Sequence, residues 1–159
     1  MRAVVQRVSR ARVSVAGRIV AEIGPGLVAF VAVERGDPPA RAAWLAEKLA
    51  GLRIFDDESG RLNRSVRDVQ GSVLLVSNFT VAGDASRGRR PGFERAAPSE
   101  EARVWLEALQ REVAARGVPV AAGSFGQSMQ VLVECDGPVT LVVEDRGRTG
   151  GGEARPGRP

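Results

Sequence analysis

Three features of this chain predict an α+β domain, with a mixed, largely antiparallel sheet system covered by two main helices. Apolar residues alternate with period two at both ends of the sequence. Two internal stretches carry helical spacing, and the apolar runs between them are short and bounded by glycine or proline. The resulting order, strands, helix, strand, helix, strands, suits a layered domain better than a regular βαβ array. With 159 residues and 16.8 kDa, there is room for one such domain and its core. We assign it to residues 1–145 and read 146–159 as a disordered basic tail.

Residues 3 to 23 alternate through Val4, Gln6 and Val8, then Val13 and Val15, then Ile19, Ala21 and Ile23. The break at Ala16-Gly17-Arg18 predicts a tight hairpin. Gly24-Pro25-Gly26 is a turn, and Leu27 to Val33 is a continuous apolar run suited to a strand buried on both faces. The period then changes. Asp37 is the expected N-cap of a first helix, with Pro38 and Pro39 in its first turn, Trp44, Leu45, Leu49 and Leu52 on one side, and an end near Gly51. Residues 53 to 71 are polar and turn-rich, Ser72 to Val76 is a strand, and a Gly/Arg/Pro-rich loop spans Ala82 to Ala97. Pro98, Glu100 and Glu101 open a second helix with Val104, Trp105, Ala108, Leu109 and Val113 at helical spacing, closed by Gly117. Met129 to Val133 and Val139 to Val143 are expected as two strands around a turn at Asp136-Gly137-Pro138. From Arg146 onward there is no apolar periodicity.

Composition narrows the chemistry. There is no histidine, so Ser-His-Asp and Cys-His hydrolases and a conventional zinc site are excluded. The single cysteine, Cys135, excludes an internal disulfide and reads as a small buried residue. Asp56-Asp57-Glu58 has no partner ligands nearby in sequence, and no metal or cofactor is expected. The net charge of +4 does not by itself argue for nucleic acid, because +3 of it falls in residues 146–159. No apolar run approaches the roughly 18 residues of a membrane span, and the opening residues lack an apolar h-region, so a cytoplasmic protein without membrane association is expected.

Six segments carry a family resemblance. They are the opening Met1-Arg-Ala-Val-Val-Gln-Arg-Val-Ser-Arg-Ala-Arg-Val13, Ile23-Gly-Pro-Gly-Leu27, Leu52-Arg-Ile-Phe55 with Leu62-Asn63, Ser77-Asn-Phe-Thr80, Arg90-Pro91, and Asp136-Gly-Pro-Val-Thr140. Their order over residues 1 to 144 resembles D-aminoacyl-tRNA deacylase. The resemblance implies a layered α/β/β fold and a homodimeric, metal-independent carboxylic ester hydrolase. Its substrate would be D-aminoacyl-tRNA, with glycyl-tRNA mischarged on tRNA-Ala as a second one; tRNA is the implied partner and DNA is not.

Site residues follow from the same resemblance. Ser77, Asn78, Phe79 and Thr80 would line the pocket for the aminoacylated 3′ adenosine, with main-chain amides facing the ester; without it, the segment reads as a polar strand end with Phe79 in the core. Gly137 and Pro138, otherwise a plain turn, would form a cis dipeptide reaching into the partner subunit's pocket to exclude L side chains. Val139 and Thr140 would support it. Arg7 would hold that loop, against the reading of a solvated strand charge. Arg87, Arg89, Arg90 and Phe93 are candidate tRNA contacts, or a solvated loop. Two residues depart from the family pattern: Asn78 stands where glutamine is usual, and Cys135 where asparagine is common. The reading that competes with an enzyme is a non-catalytic module binding the 3′ end of tRNA or another RNA.

Overall fold

The computed structural model describes residues 1–86 and 88–145; Arg87 and the expected tail lie outside the described residues. In chain order the elements are β1 (Arg2–Val15), β2 (Arg18–Ile23), β3 (Gly26–Ala32), α1 (Ala40–Gly51), β4 (Phe55–Asp56), β5 (Leu62–Arg64), β6 (Ser72–Ser77), α2 (Ser99–Ala115), β7 (Val120–Ala122) and β8 (Gln130–Glu144). A 3-10 turn, Phe79–Ala82, follows β6.

Long β1 organises the sheet. Along one edge it pairs antiparallel with β3 through residues 2–8 and with β2 through residues 11–15, and along the other edge it pairs antiparallel with β8. The β1–β2 turn is two residues long, with Ala16 and Gly17 both at positive φ, which matches the right-handed twist of the flanking strands. From β3 the sheet continues in parallel through β6 to β7. Helix α1 lies between β3 and β6 in sequence, and α2 between β6 and β7, so the sheet is antiparallel at one end and parallel at the other.

Two cores explain why β3 and β6 have no polar face. Leu27, Ala29 and Val31 of β3 and Val73 and Leu75 of β6 pack with Leu45 and Leu49 of α1 and Leu109 and Val113 of α2. Their neighbours Val28, Leu74 and Val76 form a second cluster with Val8, Ala11 and Val13 of β1 and Ile23 of β2, flanked by Val131 and Val133 of β8. The sheet therefore curls over its own back, giving the α/β/β layering. Each fully buried Leu or Val contributes roughly 1.5–3 kcal/mol. Gly26 sits where β3 meets β6: a Cβ there would lie 1.9 Å from the Ser72 carbonyl oxygen.

Four sequence expectations are revised. The two strands expected around Asp136-Gly137-Pro138 are one continuous strand, because both halves run antiparallel to β1 in the same direction. Between the pairs Gln6–Thr140 and Val8–Cys135, the four residues Asp136–Val139 oppose Arg7 alone, so the chain bulges instead of reversing. Asp37 does not cap α1, whose N-cap is Pro39 with no side-chain bond. Its carboxylate turns back to accept from the Glu34 amide at 2.8 Å and from the Met1 ammonium. Val104 faces solvent while Leu109 and Val113 are buried. Cys135 is exposed on β8. The polar stretch after α1 also holds the small β4–β5 hairpin, and β7 was not anticipated. Among the described residues no helix is long and apolar enough to cross a membrane.

Candidate active site

At the C-terminal end of β6, Ser77 still pairs with Val31, and the Asn78 amide donates to the Val31 carbonyl at 2.8 Å. The chain then leaves the sheet. Asn78 caps the 3-10 turn: its Oδ1 accepts from the Thr80 amide at 3.2 Å and from the Thr80 hydroxyl. The Asn78 carbonyl accepts from the Val81 amide at 3.1 Å. Phe79 is the first residue of the turn, so its N–H has no acceptor within it. This is the consequence of Asn78: the Thr80 amide is engaged by a side chain, and the Phe79 amide is not. The Thr80 proton goes to a neutral amide oxygen, which is not a base.

These residues border a cleft of about 580 Å³. Ser77, Asn78 and Phe79 form one wall, with Val31, Ala32 and Val33 of β3 and its extension below them. Phe93, Ala96 and Ala97 of the following loop, Ser99, Ala102 and Leu106 of α2, and Phe125, Gly126, Gln127 and Met129 between β7 and β8 complete the lining. Phe79 is 59% exposed, which contradicts its reading as a core residue. Its ring meets Phe93 edge to face, centroids 5.2 Å apart at 73°. Phe93 comes from the Arg-rich loop, which is tied down at its base. Asp84 and Gly92 exchange amide bonds at 2.9 and 2.8 Å, Ala97 donates to the Val33 carbonyl at 2.9 Å, and Arg95 pairs with Glu34 at 2.7 Å. The Asp84 carboxyl is held below its ordinary range, first by the Ser86 hydroxyl and then by the Ser86 amide.

Around Gly137 a second constellation forms. The Gly137–Pro138 bond is cis, and Gly137 has φ +118°. A Cβ there would lie 2.9 Å from Val139 Cγ2 and 3.2 Å from Arg7 Nη2, so glycine is required by both conformation and space. Arg7 is only 5% exposed and is not a solvated charge. Its Nε donates to the Asp136 carbonyl at 3.2 Å and pairs with the Asp136 carboxylate at 3.0 Å, while Nη1 donates to the Ile54 carbonyl at 2.8 Å and approaches Asp56 at 3.5 Å. Val139 packs on the helix-side core, and Thr140 accepts from Gln6 Nε2 at 3.3 Å.

The single chain thus groups Ser77, Asn78 and Phe79 with Phe93, and Arg7 with Asp136, Gly137, Val139 and Thr140. It does not bring the two groups together: none of Arg7, Gly137, Pro138, Val139 and Thr140 lines the cleft. Arg89 and Arg90 stand on the exposed loop outside the cleft wall, and Arg87 lies outside the described residues. Sequence reasoning missed Arg35, Phe125, Gln127 and Met129. The only signal for Phe125 was an aromatic between the glycines of the 123–126 loop.

Residues 4–144 match the family described as D-Tyr-tRNA(Tyr) deacylase. A protein of Heliobacterium modesticaldum named D-aminoacyl-tRNA deacylase is 54% identical over 147 residues, covering 92% of this chain and 98% of its own. One of Desulforudis audaxviator with the same name is 55% identical over 146 residues, with the same coverage of each chain. Among solved structures, the c-Myc DNA unwinding element binding protein superposes with a TM-score of 0.86 at 34% identity, covering 92% of this chain and all of its own. A probable eukaryotic D-amino acid tRNA deacylase shares the fold, with a TM-score of 0.78 at 17% identity over 89% of this chain and 97% of its own. With a family match across nearly all the described residues, and relatives above 50% identity over almost their full length, the chain belongs to the D-Tyr-tRNA(Tyr) deacylase family.

Proposed function

We propose that this protein hydrolyses the ester bond of D-aminoacyl-tRNA in the cytoplasm, releasing the free D-amino acid and the tRNA. Family membership makes it an ester hydrolase acting in translation proofreading, and one observation carries the reading to this chain. The chain leaves the sheet at Ser77, Asn78 and Phe79 on the wall of an aromatic cleft, and Phe79 opens the turn that Asn78 caps. In this reading water adds to the ester carbonyl carbon, the carbonyl oxygen becomes an oxyanion held by the Phe79 N–H, and the C–O bond to the ribose breaks. The ribose oxygen leaves with a proton, and the neighbouring 2′-hydroxyl relays it. No titrating side chain is needed, because a fixed donor aimed at developing charge lowers the barrier by itself. Phe79, Phe93 and Phe125 offer apolar faces for the terminal base, and Arg89 and Arg90 lie on the loop that would meet the phosphates beyond it, with Arg87 close to them in sequence.

Selectivity for D esters belongs, in this reading, to Gly137-Pro138 of a second copy. Two observations support a homodimer. The dipeptide is exposed and absent from its own chain's cleft, and among the described residues β8 pairs with β1 alone, with Leu132 and Val142 of β8 exposed. A rigid dipeptide against the α-carbon excludes an L side chain, whereas glycyl esters pass. The second reading, a non-catalytic 3′-end binding module, is favoured by Asn78 engaging the Thr80 amide, which leaves one oxyanion donor where two would be stronger.

Incubating the purified protein with D-aminoacyl-tRNA, L-aminoacyl-tRNA and glycyl-tRNA separates these readings. Release from the D and glycyl substrates with the L substrate intact is expected. Binding of all three without release would establish the module, and comparable release from the L substrate would eliminate the chirality filter.

A further inference from the structure

Arg35 is the single charged residue among the described residues that line the cleft; the rest of its wall is apolar or neutral. Its position is fixed at three points. The turn Glu34–Asp37 is closed by the Asp37 amide donating to the Glu34 carbonyl at 3.1 Å, with Gly36 at φ +80°. The Arg35 amide donates to the Arg95 carbonyl at 2.8 Å, and its Nε donates to the Glu94 carbonyl at 2.9 Å. Glu34, the nearest acid in sequence, is paired with Arg95 at 2.7 Å and does not neutralise Arg35. With Nε engaged, the guanidinium fork keeps its two Nη groups, and these four donors match the non-bridging oxygens of a phosphate.

An aminoacylated 3′ end brings a base and a ribose that suit apolar walls, and one anion, the phosphodiester on the 5′ side of the terminal nucleoside. We infer that Arg35 binds this phosphate, so that the cleft recognises a 5′-phosphorylated nucleotide rather than a nucleoside. The inference rests on the deacylase reading for its substrate, but the phosphate contact can be tested without catalysis. A guanidinium already tethered at Nε loses less freedom on binding than a free arginine, so the contact adds affinity as well as register.

The test titrates the full chain with adenosine 5′-monophosphate and with adenosine at one ionic strength. The unaltered protein should bind the nucleotide about tenfold more tightly, the scale of a charge-assisted hydrogen bond. In Arg35→Ala the two ligands should bind alike, and Arg35→Lys should recover part of the preference. On D-aminoacyl-tRNA, Arg35→Ala should raise KM far more than it lowers kcat. If Arg35 only clamps the 93–97 segment, Arg35→Ala weakens both ligands together and keeps their ratio, which overturns the inference, as does an unaltered protein with no preference for the nucleotide. An Arg35-dependent preference without any ester cleavage would leave the phosphate contact standing and sink the deacylase reading instead.

Discussion

Arg7 donates to the Asp136 carbonyl from inside the fold, so the residue that opposes the four-residue bulge of β8 is also the one that fixes its shape. The same guanidinium holds the Ile54 carbonyl at 2.8 Å and thereby ties β1, the segment after α1 and the Gly137 loop into one unit. Removing it leaves two carbonyls without their donor and two carboxylates, each about half exposed, without their cation. Arg7→Ala should cost about 2–3 kcal/mol in denaturant unfolding. Arg7→Lys should recover part of this, because one ammonium cannot reproduce the fork. In both variants D-ester cleavage should fall further than the stability loss explains. Wild-type stability in Arg7→Ala would contradict the role.

Phe93 is expected to act through Phe79. Losing the edge-to-face contact removes about 0.5–1.5 kcal/mol and frees the Phe79 ring to leave the wall. Steady-state kinetics of Phe93→Ala should show KM for D-aminoacyl-tRNA raised roughly three- to tenfold with kcat changed less. Phe93→Leu, which restores volume but not the ring, should lie between. A collapse in kcat alone would place Phe93 elsewhere in the mechanism.

Thr80 distinguishes a water mechanism from a covalent one. Its hydroxyl donates to the Asn78 side-chain oxygen, a neutral amide that is not a base. Thr80→Ala should therefore reduce kcat by less than about a hundredfold, the scale of a lost positioning bond rather than a lost nucleophile. A loss beyond about ten-thousandfold, or a trapped acyl-enzyme in the unaltered protein, would reinstate the nucleophile.

Acid should destabilise the protein through its loop carboxylates. Asp57, Asp68 and Asp84 are all held below the ordinary aspartate value of 3.8: Asp57 first by the Ser59 hydroxyl, Asp68 first by the Ser65 amide, and Asp84 first by the Ser86 hydroxyl. A carboxyl with a lowered folded pKa stabilises the fold above its unfolded value and loses that contribution as pH falls through the folded one. Melting temperature should be level down to about pH 5 and drop below pH 4. Asp68→Asn, which weakens the bonds to the buried Ser65, should lower the plateau and flatten the drop. A melting temperature that rises on acidification would refute this.

Much of the fold was legible in the chain because its signals are local. The alternation in β1 and β2, the unbroken apolar runs of β3 and β6, the 3.6-residue spacing of α1 and α2 and the Ala16-Gly17 turn each reflect a few neighbouring residues. The motifs at Ser77–Thr80 and Asp136–Thr140 stood out only through the family resemblance, since by their own residues they read as a polar strand end and a plain turn. Tertiary structure decided the rest. Whether Asp136-Gly137-Pro138 reverses the chain depends on β1, which offers a partner on both sides of the bulge and so holds one strand where two were expected. Asp37 had a capping position by sequence, but the Met1 ammonium and the Glu34 amide, brought close by the end of β3, claim its carboxylate. By its own residues Phe79 read as core, because aromatic rings are usually buried, and only the resemblance put it in a pocket; the departure of the chain from β6 exposes it to the cleft. Arg35 carried no signal, since arginine supplies all the basic residues but Lys48. Only the folding of the 93–97 segment against the end of β3 turns that one arginine into the charge of a cleft.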